Sequence, residues 1–247
     1  MVSNIRTCSS KLVLGEIMIE AMVISVDEPQ LDRCLVSVRN QIVRFSNIIF
    51  VNGVIPEYLA FNKGMAQTID KWVMKVDGDF ILYEDAVERV TNYMSQFNDE
   101  KCCCYAFGLN DTFLNCLMGF CCVFRTAVYK QHPYLDKLSN DQTMNYFLRG
   151  LGWKIHKNVE LAVGTHFDKP SEFQVFRRFY TQWIKYPTDT SVEEMMTKLL
   201  KETGDPLYDV GSKAREFAGR KRTYPGSHNL TFDKRLFEEF KSAYPSD

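Results

Sequence analysis

The sequence predicts an α/β fold, a mostly parallel central sheet flanked by helices, and three observations carry that expectation. Short apolar, β-rich runs alternate with segments whose apolar residues recur at helical spacing. The strand runs are apolar almost throughout, as strands covered on both faces of a parallel sheet should be. The first three of them end in polar residues, at the sheet edge where the ligands of such folds collect.

Ala21-Met22-Val23-Ile24-Ser25-Val26 is the first strand, broken by Asp27-Glu28-Pro29, after which Leu31, Cys34, Leu35 and Val38 fall at helical spacing. Asn47-Ile48-Ile49-Phe50-Val51-Asn52-Gly53 is a second strand ending in a turn signal. A helix over 63–70 then leads into the third strand, Trp72-Val73-Met74-Lys75-Val76. Ala86, Val87, Val90 and Met94 mark one face of a helix over 84–97, and strands follow over 102–107 and 120–124. Ser139-Asn140-Asp141 opens a helix over 140–151 that Gly150 and Gly152 close. A strand over 154–163 runs into Gly164-Thr165-His166-Phe167-Asp168.

Beyond Pro170 the character changes. Phe173, Phe176, Phe179, Tyr180, Trp183 and Tyr186 interleave with Gln174, Arg177, Arg178 and Lys185, and helices are expected over 192–203 and 232–243. The glycines, prolines and Arg220-Lys221-Arg222 of 204–229 read as a loop or loose connector. The expected division is a core over 1–168 and a helical and loop extension over 169–247 that packs on it.

At 247 residues, 45% hydrophobic and 25% charged, the chain has the composition of an ordinary globular protein with a sizeable core. Its formal net charge of -1 exerts no overall pull on nucleic acid or anionic membrane, so any contact with a polyanion must be local. Of the eight cysteines, Cys102-Cys103-Cys104 and Cys121-Cys122 are adjacent runs, and no pair has the CxxC spacing of a zinc site. They read as reduced, buried thiols and imply a cytoplasmic setting. Glu16 and Glu20 interrupt the apolar stretch after Arg6 and Lys11, and no apolar run approaches roughly 18 residues, so neither a signal peptide nor an integral membrane segment is expected.

The most informative motif is Asp77-Gly78-Asp79, at the end of the third strand and followed at once by Phe80-Ile81-Leu82-Tyr83. Two carboxylates one residue apart at a strand end can hold a hard divalent cation that keeps open positions for phosphate oxygens. Read in isolation, Asp-Gly is equally a turn dipeptide joining two strands of a hairpin. The helix Leu31-Asp32-Arg33-Cys34-Leu35-Val36-Ser37-Val38-Arg39-Asn40-Gln41, then Asn62-Lys63-Gly64, Asp77-Gly78-Asp79, Asn140-Asp141 and Gly152-Trp153-Lys154-Ile155 appear in that order. Order and spacing together resemble the GT-A fold of family 2 inverting glycosyltransferases over about residues 20–168.

That resemblance implies a role for each matching residue. Asp79 ligates the cation, Asp77 holds the ribose or a metal-bound water, and His166 is a late ligand whose softer nitrogen suits manganese better than magnesium. Asp141 is the general base on the acceptor hydroxyl, although a residue at a helix start also serves as cap, and Asn140 replaces the family's usual glutamate. Asp27, Asn52 and Asn62 line the donor pocket, with Asn52 where an aspartate is common. Arg177 and Arg178 contact the diphosphate from a mobile 170–187 lid, with Arg178 standing where processive members carry tryptophan.

The implied activity is transfer of a sugar from a nucleoside diphosphate donor to a glycan or other acceptor hydroxyl. Nothing in the sequence singles out a nucleic acid acceptor. A nucleotidyltransferase would also place carboxylates and a metal at strand ends, but Asp27-Glu28-Pro29 is the opposite of its basic, glycine-rich loop. A binding module that has lost turnover would keep the same fold.

Overall fold

A computed structural model describes residues 17–26, 28–97 and 99–245, so Asp27 lies outside the described residues. Among the described residues, seven strands form one sheet in the order β2-β1-β3-β6-β5-β7-β4. β1 (Ile19–Ser25), β2 (Ile48–Asn52) and β3 (Trp72–Asp77) run parallel, with β1 central, which makes the expected β-α-β-α-β unit. Their helices are α1 (Leu31–Arg39), which buries Cys34 and Val38, and α2 (Glu57–Gln67), which packs so closely that a Cβ on Gly64 would lie 2.3 Å from the sulfur of Met22.

The rest of the sheet is mixed rather than mostly parallel. β5 (Cys102–Asp111) and β6 (Cys116–Arg125) form an antiparallel hairpin, longer than the two expected strands, and β6 joins β3 antiparallel. β7 (Lys154–His166) lies parallel to β5 on one side and antiparallel to the short β4 (Phe80–Leu82) on the other. β3 and β4 pair with different strands, so Asp77-Gly78-Asp79 is not the turn of a hairpin. The segment carries the chain from the middle of the sheet to its edge.

Two apolar layers cover the sheet. One packs α3 (Ala86–Met94) through Val87, Val90 and Met94 onto Val76, Phe107 and Val163. The other gathers Phe61, Phe124, Tyr129 and Tyr134 beside α4 (Thr126–Gln131) and α5 (Asn140–Gly150). Glu20, inside β1 and fully buried, accepts hydrogen bonds from Asn47 Nδ2 and from the backbone N–H of Ile69 and Asp70, which offsets the cost of burying its charge.

The C-terminal third departs most from expectation. α6 (Glu172–Lys185), α7 (Ser191–Thr203), α8 (Pro206–Lys221) and α9 (Leu230–Ala243) enclose a third apolar cluster. Much of the stretch expected as a connector is therefore a 16-residue helix. Its Asp205 cap accepts from Leu207 N, Pro206 fits the first turn, and Tyr208, Ala214, Phe217 and Ala218 are buried. The aromatic residues expected to act as a lid are core: Phe176, Phe179, Tyr180 and Trp183 are all at most 3% exposed. Phe113, Leu114 and Phe167 enter the same cluster from the sheet, so this third is fastened to the sheet by apolar contact.

Candidate active site

Strand order explains how the site assembles. β7 lies between β5 and β4, and its last residue, His166, is in register with Asp111 on one side and Phe80 on the other. The imidazole therefore falls between two carboxylates, with Nε2 3.5 Å from Asp79 Oδ2 and Nδ1 3.4 Å from Asp111 Oδ2. Burial disfavours the imidazolium, but Asp79 and Asp111 outweigh it and raise the His166 pKa to about 9. Burial likewise pushes Asp79 upward, and His166, Arg177 and Arg178 more than reverse it, leaving the carboxyl below its usual range.

Gly78 is required here for space. Its N–H donates to Ile24 O, and a Cβ would lie 2.8 Å from Glu28 Oε2 and 2.9 Å from Ser25 Oγ. Glu28 itself is fixed by Ser25 Oγ and Val26 N, both of which donate to its Oε2. Backbone strain collects close by: Ser139 (φ 60°) precedes Asn140-Asp141 and Phe167 (φ 63°) follows His166, both in the left-handed region that costs a non-glycine residue on the order of 1–3 kcal/mol.

Three cavities meet at this point. The first, about 200 Å³, runs from Asp77, Asp79 and Arg177 to the apolar ends of β1 and β2, and His228, Leu230 and Asp233 close it. A second, about 430 Å³, opens along α6 between Arg177, Arg178, Lys185 and Gln142. The third, also about 430 Å³, extends under Asp77 past Lys75, Asp141 and Lys157 to Phe120. His166 and His228 line all three.

The expected site residues fare differently. Asp79, His166 and Arg177 come together, and Asp141 lines the third cavity, exposed at the start of α5. No capping hydrogen bond is made by the N-cap of α5, so the helix start has no side-chain lock. Asp77 is held by Lys75, whose Nζ lies 2.7 Å from Oδ1 and 2.8 Å from Oδ2, with Glu57 3.5 Å away on the far side. Arg178 is engaged by Asp111, stacks over Phe167 at 4.5 Å and lines the second cavity, while Arg177 lines the first and second. Asn62 donates to Tyr134 O and accepts from Tyr134 N, a tie between α2 and the loop before α5, and it lines none of the three cavities. Asn52 is exposed at the end of β2 and lines none of the three cavities. Gln174 is also structural: it completes a capping box with Ser171 and exchanges side-chain bonds with Gln30, tying α6 to α1.

Sequence reading missed Lys75, Asp111, His228 and Asp233. Lys75 was legible in principle, as a lone charge inside an apolar strand. Asp111 sat where a loop was expected, and His228 and Asp233 sat beyond the core. Asp111 is only 1% exposed, and besides His166 and Arg178 it accepts from Leu114 N. Burial lowers the His228 pKa to about 4, so the ring is neutral near pH 7.

Among the described residues, no group of three or more His, Cys, Asp or Glu is arranged to hold a metal by itself. Asp79 and, once a cation has displaced the Nε2 proton that the two carboxylates favour, His166 would supply one oxygen and one nitrogen to a divalent cation whose other positions go to phosphate oxygens and water. No disulfide links the described cysteines, and no helix among the described residues is long and apolar enough to cross a membrane.

No protein-family model matches this sequence, and neither does any curated protein. Among solved structures, the mannosyltransferase PcManGT from Pyrobaculum calidifontis in complex with GDP-Man and Mn2+ is similar over 93% of this chain and 81% of its own, with a TM-score of 0.50 and 9% identity. S. aureus TarS 1-349 in complex with UDP covers 92% of this chain and 81% of that one, with a TM-score of 0.47 and 10% identity. The 4-diphosphocytidyl-2C-methyl-D-erythritolsynthase from Anaerococcus prevotii covers 57% of this chain and 86% of that one, with a TM-score of 0.42 and 10% identity. The likeness to the mannosyltransferase is one of fold: the chain has a GT-A type of architecture, an α/β sheet flanked by helices.

Proposed function

We propose that the protein is a metal-dependent, inverting glycosyltransferase, with residues 1–168 as the nucleotide-sugar core and 169–247 as an extension that completes the site. The observation that carries this reading is the pairing of Asp79 with His166 at the meeting point of three cavities, with Asp141 lining the cavity on the sheet side. A GT-A architecture is consistent with it.

In this reading Asp79 and His166 hold a divalent cation, manganese in preference to magnesium, which would stabilise the charge that grows on the departing diphosphate. Arg177 faces the first two cavities and meets the same diphosphate with its guanidinium. Lys75 neutralises Asp77, so two carboxylates one residue apart can stand beside an anionic donor without mutual repulsion. Asp141 takes the proton of the acceptor hydroxyl as that oxygen attacks the anomeric carbon from the side opposite the diphosphate. The acceptor enters through the third cavity.

A direct test measures release of nucleoside diphosphate from a panel of nucleotide sugars with Mn2+ present, with sugar 1-phosphates and nucleoside triphosphates as the alternative substrates. Release of pyrophosphate instead marks a nucleotidyltransferase, and tight binding without turnover marks a binding module.

A further inference from the structure

α6 turns two cations toward the cavities that no acid contacts. Among the described residues, the side chains of Arg177 and Lys185 make no ion pair or hydrogen bond, whereas Arg178 beside them is engaged by Asp111. Both line the second cavity, eight residues apart and therefore roughly 12 Å along the helix axis. They differ in what else they face. Arg177 also lines the first cavity, with Asp79, and Lys185 lines the third, with Asp141. A diphosphate on a cation held by Asp79 lies at the Arg177 end, and its two adjacent phosphates are too close together to serve both ends of that span.

Lys185 is half-buried at the end of α6. A lysine in a last turn suits the helix dipole, but that role leaves the three donors of its ammonium unpaired. The acids of the third cavity do not take them. Glu57 and Asp77 are both held by Lys75, Lys185 acts on Glu57 only at a distance, and Asp141 makes no ion pair with it. A further donor stands next to Lys185: Tyr186 Oη accepts from Gln142 Nε2, which leaves its own proton for another acceptor, and both side chains line the second cavity. We propose that Lys185 and Tyr186 form an anion subsite for the acceptor, so that the acceptor is an anionic alcohol, a hydroxyl compound carrying a phosphate or carboxylate, and not a neutral glycan. Its hydroxyl meets Asp141 and its anion meets Lys185, which also offsets the repulsion that Asp141 alone would exert on it. This rests on the glycosyltransferase reading and adds the chemical class of the acceptor.

The experiment is a calorimetric titration of the intact protein with glucose 6-phosphate, glucuronate and glucose at fixed ionic strength. It is repeated on Lys185→Gln, Lys185→Arg and Arg177→Gln, with melting temperatures recorded alongside. The parent should bind at least one charged compound about tenfold or more tightly than glucose, the worth of one charge-assisted hydrogen bond. Lys185→Gln should remove that advantage and melt as the parent does, while Lys185→Arg and Arg177→Gln should retain it. Equal binding of glucose and its charged counterparts by the parent overturns the assignment. So does an advantage that survives in Lys185→Gln and disappears in Arg177→Gln, which puts the anion at the diphosphate position. If Lys185→Gln weakens UDP-glucuronate but neither UDP-glucose nor glucose 6-phosphate, the charge belongs to the donor sugar and the assignment also falls. In these three cases, release of nucleoside diphosphate from the nucleotide-sugar panel leaves the glycosyltransferase reading standing. Lys185-dependent binding by a parent that releases no nucleoside diphosphate overturns that reading, and the acceptor role with it.

Discussion

Asp111 lies with its Oδ2 3.4 Å from Nδ1 of His166, on the side of the ring away from Asp79. This contact connects β5 to the site through β7, since the two residues are in register on adjacent parallel strands. Nδ1 makes no hydrogen bond, so the contact is electrostatic, and Nε2 is turned toward Asp79. Groups that orient a ligand from behind commonly change metal affinity as much as a weak ligand does.

Asp111→Asn should therefore weaken Mn2+ binding by roughly 10- to 100-fold, measured by the loss of the free-ion EPR signal. It also leaves Arg178 without its buried counter-ion, so the melting temperature should fall. A variant that loses stability yet titrates with Mn2+ as the parent does would reduce Asp111 to a structural partner of Arg178.

Removing Asp79 tests the ligand itself. Asp79→Ala should abolish the Mn2+-dependent part of nucleoside diphosphate binding, and a chelator should stop turnover by the parent. Equal turnover with and without chelator is the result that rules out the metal assignment.

At Asp141 the effect should be confined to chemistry. Asp141→Asn should lower kcat by on the order of 10²-fold or more and leave donor affinity nearly unchanged. A parallel loss of donor affinity would point to a role in holding the cavity wall.

Stability should respond to pH through Asp233. Its folded pKa, about 6, lies above the ordinary carboxyl value, so its contribution is present below that ordinary value and is lost as pH rises through about 6. The groups that act on it are Arg177 of α6, Tyr224 of the preceding loop and Glu57 of α2. Asp233→Asn removes this titration. Thermal melts should show the variant gaining on the parent between pH 4 and 7, and parallel pH curves for the two proteins would refute the burial cost.

The aromatic segment of α6 should behave as core. Phe176, 1% exposed, packs against Phe240 with ring centroids 4.6 Å apart and against Tyr180 at 5.5 Å. Phe176→Ala should cost about 3–5 kcal/mol in chemical denaturation. A cost near zero, together with proteolysis of 170–187 that slows on adding nucleoside diphosphate and Mn2+, would restore the lid.

The sequence by itself determined the local elements and the half of the site that lies at strand ends. Apolar runs and helical spacing placed β1, β2 and β3 with their helices, because side-chain periodicity records which faces are buried. Asp79, His166 and Asp141 came instead from ordered motifs that resemble family 2 inverting glycosyltransferases; Asp79 lies just before β4, His166 ends β7, and Asp141 is in the first turn of α5. Only the tertiary structure decided what those residues face. The pairing of β7 with both β5 and β4 put Asp111 behind His166, and strand pairing across a mixed sheet is a long-range choice that no local pattern records. An arginine pair reads identically in sequence whether it meets a ligand or a buried aspartate, and here the fold paired Arg178 with Asp111 at the second cavity and put Arg177 on the first and second. The aromatic stripe beyond Pro170 became core because four helices closed around it, and that closure carried His228 and Asp233 onto the opposite wall of a pocket that begins more than one hundred and fifty residues earlier in the chain.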